Sequence, residues 1–218
     1  MSGLLLKDAL VMRKNIRFYA VFLLIYFGLS LLKIFEMTFV ISFSSVIIMM
    51  LPISCFSVDE AAKWDRFCRS FPLPTRTIVG ARYLFTVIIL LVMAAFSGVC
   101  AVLLDLLHIG DVPLIENIGA TLGSLGAGLL IVDILLPLCY KLGPERARPY
   151  LLAVLLIPFV AVFLLLRFGS DLGLSLEFLN QIPETSALGI IALIPLAGLL
   201  GLLLSFLISC RIVDRKEF

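Results

Sequence analysis

Few side chains in this sequence are spaced for chemistry, and none of the arrangements forms a catalytic site. Asp105, His108 and Asp111 occur at every third position, which puts them on one side of a helix end and suggests a metal site. Such residues are nevertheless common where helices end in water, and His108 is the only histidine. A serine nucleophile in a G-x-S-x-G turn is not indicated, because Gly123-Ser124-Leu125-Gly126 is out of register. We predict no catalytic residue and no metal ligand.

The sequence also lacks the G-x-x-x-x-G-K-[ST] loop with which P-loop ATPases bind phosphate. Work driven by ATP would therefore need a separate subunit. The five cysteines, at positions 55, 68, 100, 139 and 210, match no zinc or redox spacing, and we expect them to be small packing residues.

The composition indicates a membrane protein. Hydrophobic residues make up 62% of the chain and charged residues 15%, and the mean hydropathy is +1.18. Soluble domains contain about 25% charged residues. The 218 residues leave room for several spans with short connections, and we predict one transmembrane domain over residues 1–218. The formal net charge of +2 gives no indication of nucleic-acid binding.

Six apolar segments are each near the ~20 residues with which a helix crosses a bilayer. Because a helix satisfies its own backbone hydrogen bonds in lipid, we predict an all-α polytopic fold with six transmembrane helices. The segments are Phe18–Ile34, Met37–Phe56, Leu84–Leu107, Ile118–Tyr140, Tyr150–Phe168 and Ala187–Ile208.

The basic residues predict the orientation. Of the 17 lysines and arginines, all but Lys33 and Arg167 fall at the two termini and in the connections after the second and fourth spans. By the positive-inside rule, both termini and these connections face the cytoplasm. The residues before Arg17 further suggest either an amphipathic helix along the cytoplasmic face or a plain basic flank.

The connection between the second and third spans, Ser57–Tyr83, is charged and contains the only tryptophan. Ser57 and Glu60 have the spacing of a capping box, so we predict a short helix that begins at Ser57. Pro72 cannot continue this helix, which should therefore end at Phe71.

The predicted helix is amphipathic. Asp59 with Lys63 and Asp65 with Arg69 are acid-before-base pairs four residues apart, each contributing ~0.2–0.5 kcal/mol. The apolar side indicates either a helix that docks on a partner protein or one that rests in the lipid headgroups. This side consists of Ala61, Trp64, Phe67, Cys68 and Phe71.

The same residues resemble a pattern found in small bacterial ABC-transporter permeases of the type-2 export class. Those permeases carry D/E-E-x-x-x-W and S-L-P-x-x-R-x-x-I-V-x-x-K/R-Y elements between their second and third helices. The likeness is greatest to permeases that export amphipathic peptides, such as phenol-soluble modulins or lantibiotics. Phe71 stands where Leu is frequent, and Arg82 where Lys is common. The matching stretches are Asp59-Glu60-Ala61-Ala62-Lys63-Trp64-Asp65, Ser70-Phe71-Pro72-Leu73-Pro74-Thr75-Arg76 and Ile78-Val79-Gly80-Ala81-Arg82-Tyr83.

The resemblance implies that the segment holds the coupling helix, which docks on a separate ATP-binding subunit. Two permeases, identical or paralogous, would work in the bacterial cell membrane with two ATPase subunits. ATP and Mg would bind the ATPase, and this chain would bind no cofactor. We expect Trp64 to anchor the docking surface, since buried aromatic residues dominate many interfaces. The coupling residues would be Asp59, Glu60, Lys63, Trp64, Asp65, Arg66, Phe67 and Phe71.

The predicted function is export of a small amphipathic molecule, such as a toxin or antimicrobial peptide. A membrane scaffold without transport activity is the alternative, as is an ion, lipid or drug transporter on the same plan.

Asp133 is the one ionisable residue well inside a predicted span. A carboxylate at membrane depth costs ~2.5–3.5 kcal/mol, so it should face another helix or an aqueous cavity. It is a candidate pathway residue, with a structural hydrogen bond as the alternative. Glycines in the fourth and sixth spans permit close helix approach, either within the chain or between subunits. They are Gly119, Gly123, Gly126, Gly128, Gly198 and Gly201.

Overall fold

The computed structural model describes residues 2–68, 74–107, 113–168 and 184–215, and within these ranges every regular element is an α-helix. The apolar runs are longer than strands and are not divided by turn signals, which accounts for this all-α result. The helices are α1 (Ser2–Leu31), α2 (Met37–Ala61), α3 (Trp64–Cys68), α4 (Thr75–Leu106), α5 (Leu114–Leu142), α6 (Pro144–Phe168) and α7 (Glu184–Arg215).

Five helices of the described chain are long and apolar enough to cross a membrane, and the chain is an integral membrane protein. The fifth predicted segment, Tyr150–Phe168, is helical as part of α6, but α6 is not among these five. Six spans and cytoplasmic termini therefore stay predictions. The five candidate spans are Ser2–Leu31, Thr38–Ala61, Thr75–Leu106, Ile115–Leu142 and Ile191–Arg215.

Helix α5 is the centre of the bundle. It packs against α2, α4, α6 and α7, and its contact with α7 is the most extensive in the described chain. Helix α1 lies on the other side of the bundle, against α2 and α4. The fully buried side chains between α2, α4 and α5 include Ile47, Ile48, Val79, Leu129 and Val132.

Small residues bring α5 and α7 together within one chain. A Cβ added to Gly126 would lie 2.8 Å from the backbone nitrogen of Pro195, and one added to Gly198 would lie 2.8 Å from the Cβ of Leu129. These glycines therefore serve intramolecular packing. All five cysteines are buried, as expected of packing residues.

The predicted helix Ser57–Phe71 is wrong at its start. Helix α2 continues through Ser57 to Ala61, and the Ser57 hydroxyl donates to the carbonyl of Ile53, 3.3 Å away, instead of capping a new helix. A serine inside a helix can bond the carbonyl four residues back, so the capping-box spacing alone does not start a helix. Phe71 lies outside the described residues.

The break comes later, at Ala62 and Lys63. Lys63 adopts a left-handed conformation with φ of 51°, and the five-residue α3 follows it. The N-terminal residues do not form a separate helix, the first of the two alternatives, because they join the first span in one continuous helix of 30 residues. No helix-breaking residue stands where the basic flank, which ends at Arg17, meets the first predicted span, which begins at Phe18. The flank therefore forms the first turns of the same helix.

Candidate functional site

Arg82 is the centre of a buried cluster of charges that joins three helices. It lies in α4, and only 6% of its surface is exposed. Its Nη1 atom lies 3.2 Å from Oδ2 of Asp8 in α1, and its Nη2 atom bonds Oδ2 of Asp59 in α2. The contact with Asp8 is an ion pair without hydrogen-bond alignment, since Nη1 has no hydrogen-bond partner in the described chain. We call Lys7, Asp8, Asp59 and Arg82 the charged cluster.

Lys7 completes this cluster and makes it neutral. Its Nζ atom lies 2.8 Å from Oδ1 of Asp59 and 3.1 Å from Oδ1 of Asp8. Two cations and two carboxylates thus balance each other. Burial of a charge is tolerable when it is paired and hydrogen-bonded in this way.

Aromatic rings cover two sides of the cluster. The guanidinium of Arg82 lies over the ring of Phe56, 4.8 Å from its centroid, and Phe56 packs edge-on against Tyr140 of α5. Lys7 lies over the ring of Trp64 in α3, at 4.3 Å. Such contacts contribute ~0.5–1 kcal/mol at exposed positions and more when desolvated. Trp64 therefore ties α3 to the N-terminal part of α1.

Helix lengths place the cluster at one end of the bundle. Asp8, Asp59 and Arg82 lie 23, 22 and 24 residues from Leu31, Met37 and Leu106, at the far ends of their helices. At ~1.5 Å per residue these separations are ~33–36 Å, slightly more than the ~30 Å of hydrocarbon in a bilayer. The three side chains meet at one end of the bundle, farther from its opposite end than the thickness of the hydrocarbon layer.

The predicted coupling residues divide into two groups. Asp59 is buried in the charged cluster rather than exposed at a rim, and its partners are Lys7 and Arg82 instead of Lys63. Glu60 lies against Gly143, whose φ of 82° gives α5 its sharp end before Pro144. Lys63 is exposed in the turn before α3.

Helix α3 carries the remaining predicted residues. Trp64 is half-buried under Lys7, whereas Phe67 is 55% exposed and packs against Trp64 with ring centroids 5.5 Å apart. Asp65 and Arg66 belong to α3, but their side chains are not among those described. The structure thus exposes Phe67 more than Trp64, the residue expected to be the anchor.

Sequence reasoning missed Lys7 and Asp8 as partners of the segment after α2. Asp8 is an acidic residue within a basic N-terminal flank, and this local anomaly called for an opposite charge. Arg82 gave no such signal, because the sequence placed it in the charged connection and only the structure puts it seven residues into α4. Their sequence separation of 74 residues left the pairing undetermined.

A second polar group lies deeper in the bundle. The Ser205 hydroxyl of α7 donates to the backbone carbonyl of Asp133 in α5, at 2.7 Å. Its only proton is thereby used, so the Tyr83 hydroxyl of α4, 2.7 Å away, donates to Ser205. The Tyr83 oxygen then accepts from Ser209, at 2.8 Å. This hydrogen-bonded chain connects α4, α5 and α7.

The Asp133 side chain faces another helix, α7, as expected for a carboxylate at this position in a span. Its carboxylate occupies the space where a Cβ on Gly201 would lie. Both carboxylate oxygens are buried, and neither has a hydrogen-bond partner among the described residues. The structural hydrogen bond at Asp133 is therefore made by its backbone, and the carboxylate is left without one.

Metal or catalytic chemistry finds no support in the described ranges. They contain no group of three histidine, cysteine, aspartate or glutamate side chains that could hold a metal ion. His108 and Asp111 lie outside these ranges. Apolar helices of spanning length with small residues at their contacts are typical of an α-helical membrane protein.

Comparison with known families identifies the class more closely. The family model for ABC-2 family transporter proteins matches residues 3–214, and the chain belongs to this family. It is therefore a membrane component of a transporter and not itself catalytic. Permeases of this family normally work with an ATP-binding subunit. Searches of the curated proteins and of the solved structures each gave no significant match.

The charged cluster predicts a specific loss of stability. Replacing Arg82 by alanine leaves two buried carboxylates with one cation, and removal of one partner from a buried pair costs ~3–5 kcal/mol. We expect Arg82→Ala to lower the melting temperature of the detergent-purified protein by roughly 10 °C. Arg82→Lys should be intermediate, because lysine cannot reach both carboxylates with a planar fork. Arg76→Ala, at an exposed position in the same helix, is the control. Equal melting temperatures for Arg82→Ala and Arg76→Ala would contradict the role of the cluster.

Proposed function

We propose that this chain is the permease subunit of an ATP-driven exporter whose ATP-binding subunit contacts α3 and the end of α2. The observation that carries the proposal is the position of the charged cluster directly behind α3. Trp64 of α3 packs on Lys7, and Lys7 is paired with Asp8 and Asp59. A displacement of α3 would therefore move α1 and α2 as well as α4.

Rigidity is what this arrangement contributes to coupling. A flexible loop would absorb a displacement imposed by the ATPase. Helix α3 packs on the charged cluster through Trp64 and Lys7, so its displacement is transmitted to the attached spans. Glu60 against Gly143 extends the connection to the junction of α5 and α6. Closure of the ATPase subunits would in this way be relayed to helices on both sides of the bundle.

The exposed face of α3 supports a protein partner. Phe67 presents 55% of its surface, and it stands beside the half-buried Trp64. Aromatic residues are enriched at the centres of interfaces, where truncation commonly costs about 2 kcal/mol or more. We assign the contact with the ATPase to Phe67, and to Trp64 the task of seating α3 on α1.

In this proposal the transported molecule is a small amphipathic compound of the peptide class. The working unit is a pair of permeases with two ATPase subunits, and it lies in the bacterial cell membrane. The class of substrate rests on the sequence resemblance. Unpaired Asp133 in the α5–α7 interface is the candidate pathway residue, because separation of these helices would expose its carboxylate.

The test of the contact is retention of the ATPase by purified permease. Phe67→Ala should lower the affinity of the two subunits by about thirtyfold, the equivalent of ~2 kcal/mol. Trp64→Ala should loosen α3 and reduce ATPase coupling to transport. The control is Phe163→Ala, since Phe163 in α6 is 52% exposed and thus matched to Phe67. The proposal fails if Phe67→Ala and Trp64→Ala both keep the ATPase and its substrate-stimulated turnover at wild-type levels.

The role of Asp133 is tested separately. Asp133→Asn keeps the shape of the side chain and removes its charge. We expect this variant to melt at the wild-type temperature and to retain the ATPase, yet to transport slowly in proteoliposomes. Wild-type transport rates in Asp133→Asn would reduce Asp133 to a packing residue.

A further inference from the structure

A groove lies at the end of the bundle opposite the charged cluster. It is shallow and open, with a volume of about 440 Å³. It is formed where the turn after α1 enters α2, and Glu36 of this turn is ~35 Å from Asp59 along α2. We call it the turn groove, and its lining residues are Ile34, Phe35, Glu36, Thr38, Phe39 and Ser42.

Aromatic rings form the wall of the turn groove. Phe35 and Phe39 have centroids 5.7 Å apart, and each is 41% exposed. Tyr26 of α1 lies behind both, at 5.5 Å from Phe35 and 5.1 Å from Phe39. Phe43 continues the row one turn further along α2, stacked on Phe39 at 6.3 Å. The rings thus run from the helix end into the membrane-spanning part, as an alkyl chain would.

Glu36 gives the groove a charge at its rim. It occupies the N-cap position of α2, but its side chain makes no capping hydrogen bond. An exposed carboxylate beside partly exposed aromatic side chains is a combination that attracts an ammonium group. Thr38 and Ser42 add hydroxyls on the same side of the groove.

The turn also carries a positive charge. Lys33 is exposed three residues before Glu36, and its φ of 58° marks the sharpest point of the turn. Lys33 is not among the lining residues, but it belongs to the same five-residue connection between α1 and α2 as Glu36. A zwitterionic headgroup, with an ammonium and a phosphate, complements this pair of charges, whereas a purely cationic amphiphile would be repelled by Lys33.

We propose that the turn groove binds a bilayer lipid with a zwitterionic amine headgroup, such as phosphatidylethanolamine. The ammonium would lie between the Glu36 carboxylate and the rings of Phe35 and Phe39. One acyl chain would lie along the row of rings from Phe35 to Phe43. The phosphate would lie toward Lys33. This site is independent of the proposed contact between α3 and an ATPase.

The experiment measures lipid binding by the full-length protein in neutral detergent with native mass spectrometry. Phosphatidylethanolamine and phosphatidylglycerol with identical acyl chains are titrated separately. Glu36→Gln should weaken phosphatidylethanolamine binding by about fivefold and leave phosphatidylglycerol binding unchanged. Lys33→Gln should weaken both lipids, because both carry the phosphate.

Two further variants separate the site from general effects. Phe39→Leu keeps an apolar wall but removes a ring face, and it should reduce the preference for phosphatidylethanolamine over phosphatidylglycerol. Glu116→Gln removes an exposed carboxylate from the first turn of α5 and should change neither affinity. The proposal is overturned if Glu36→Gln binds phosphatidylethanolamine like the wild type, or if Glu36→Gln and Glu116→Gln weaken it equally. It is also overturned if dodecyltrimethylammonium binding depends on Glu36 and phosphatidylethanolamine binding does not.

Discussion

The ion pairs of Arg82 are the interaction on which the rest of the bundle depends. Three helices that start or end at the same membrane surface each bring one charge to this point, and α1 brings a second in Lys7. A buried guanidinium is stable only when both of its neighbours are present. The cluster therefore fixes the relative height and rotation of α1, α2 and α4. Pairs of this kind contribute little net stability over apolar packing, but they specify one arrangement.

Different interactions hold the two sides of the bundle together. On the side of α1, paired charges connect α1 with α2 and α4, and only four described residues of α1 are buried. On the side of α7, close contact at Gly126 and Gly198 and the hydrogen bonds of Tyr83 do the same work. Charge is suited to the wet end of a helix, and small residues with internal hydrogen bonds are suited to lipid. Arg82 and Tyr83 are adjacent, so α4 takes part in both.

Much of this architecture follows from the sequence because it depends on local properties. Apolar runs of the right length predict helices, and the motif between Asp59 and Tyr83 predicted a type-2 permease, in agreement with the ABC-2 family match. The start of a helix at Ser57 was wrong, because a capping box is a local pattern that a continuing helix can override. The partners of Asp59 and Arg82 were not predictable, since any of several cations and carboxylates had suitable charge. Phe67 is more exposed than Trp64 because Lys7 covers Trp64, and only the tertiary structure shows the position of Lys7.

The central claim, that an ATP-binding subunit contacts α3, is tested most directly by photocrosslinking in cells. A photoreactive amino acid replaces Phe67 in the chromosomal gene of one strain, and in a second strain it replaces Leu106, which is 73% exposed at the far end of α4. The account predicts that position 67 crosslinks to a protein that carries the G-x-x-x-x-G-K-[ST] phosphate loop, and that position 106 does not. Crosslinks from position 67 to lipid alone, or equal capture of that protein from both positions, would contradict it.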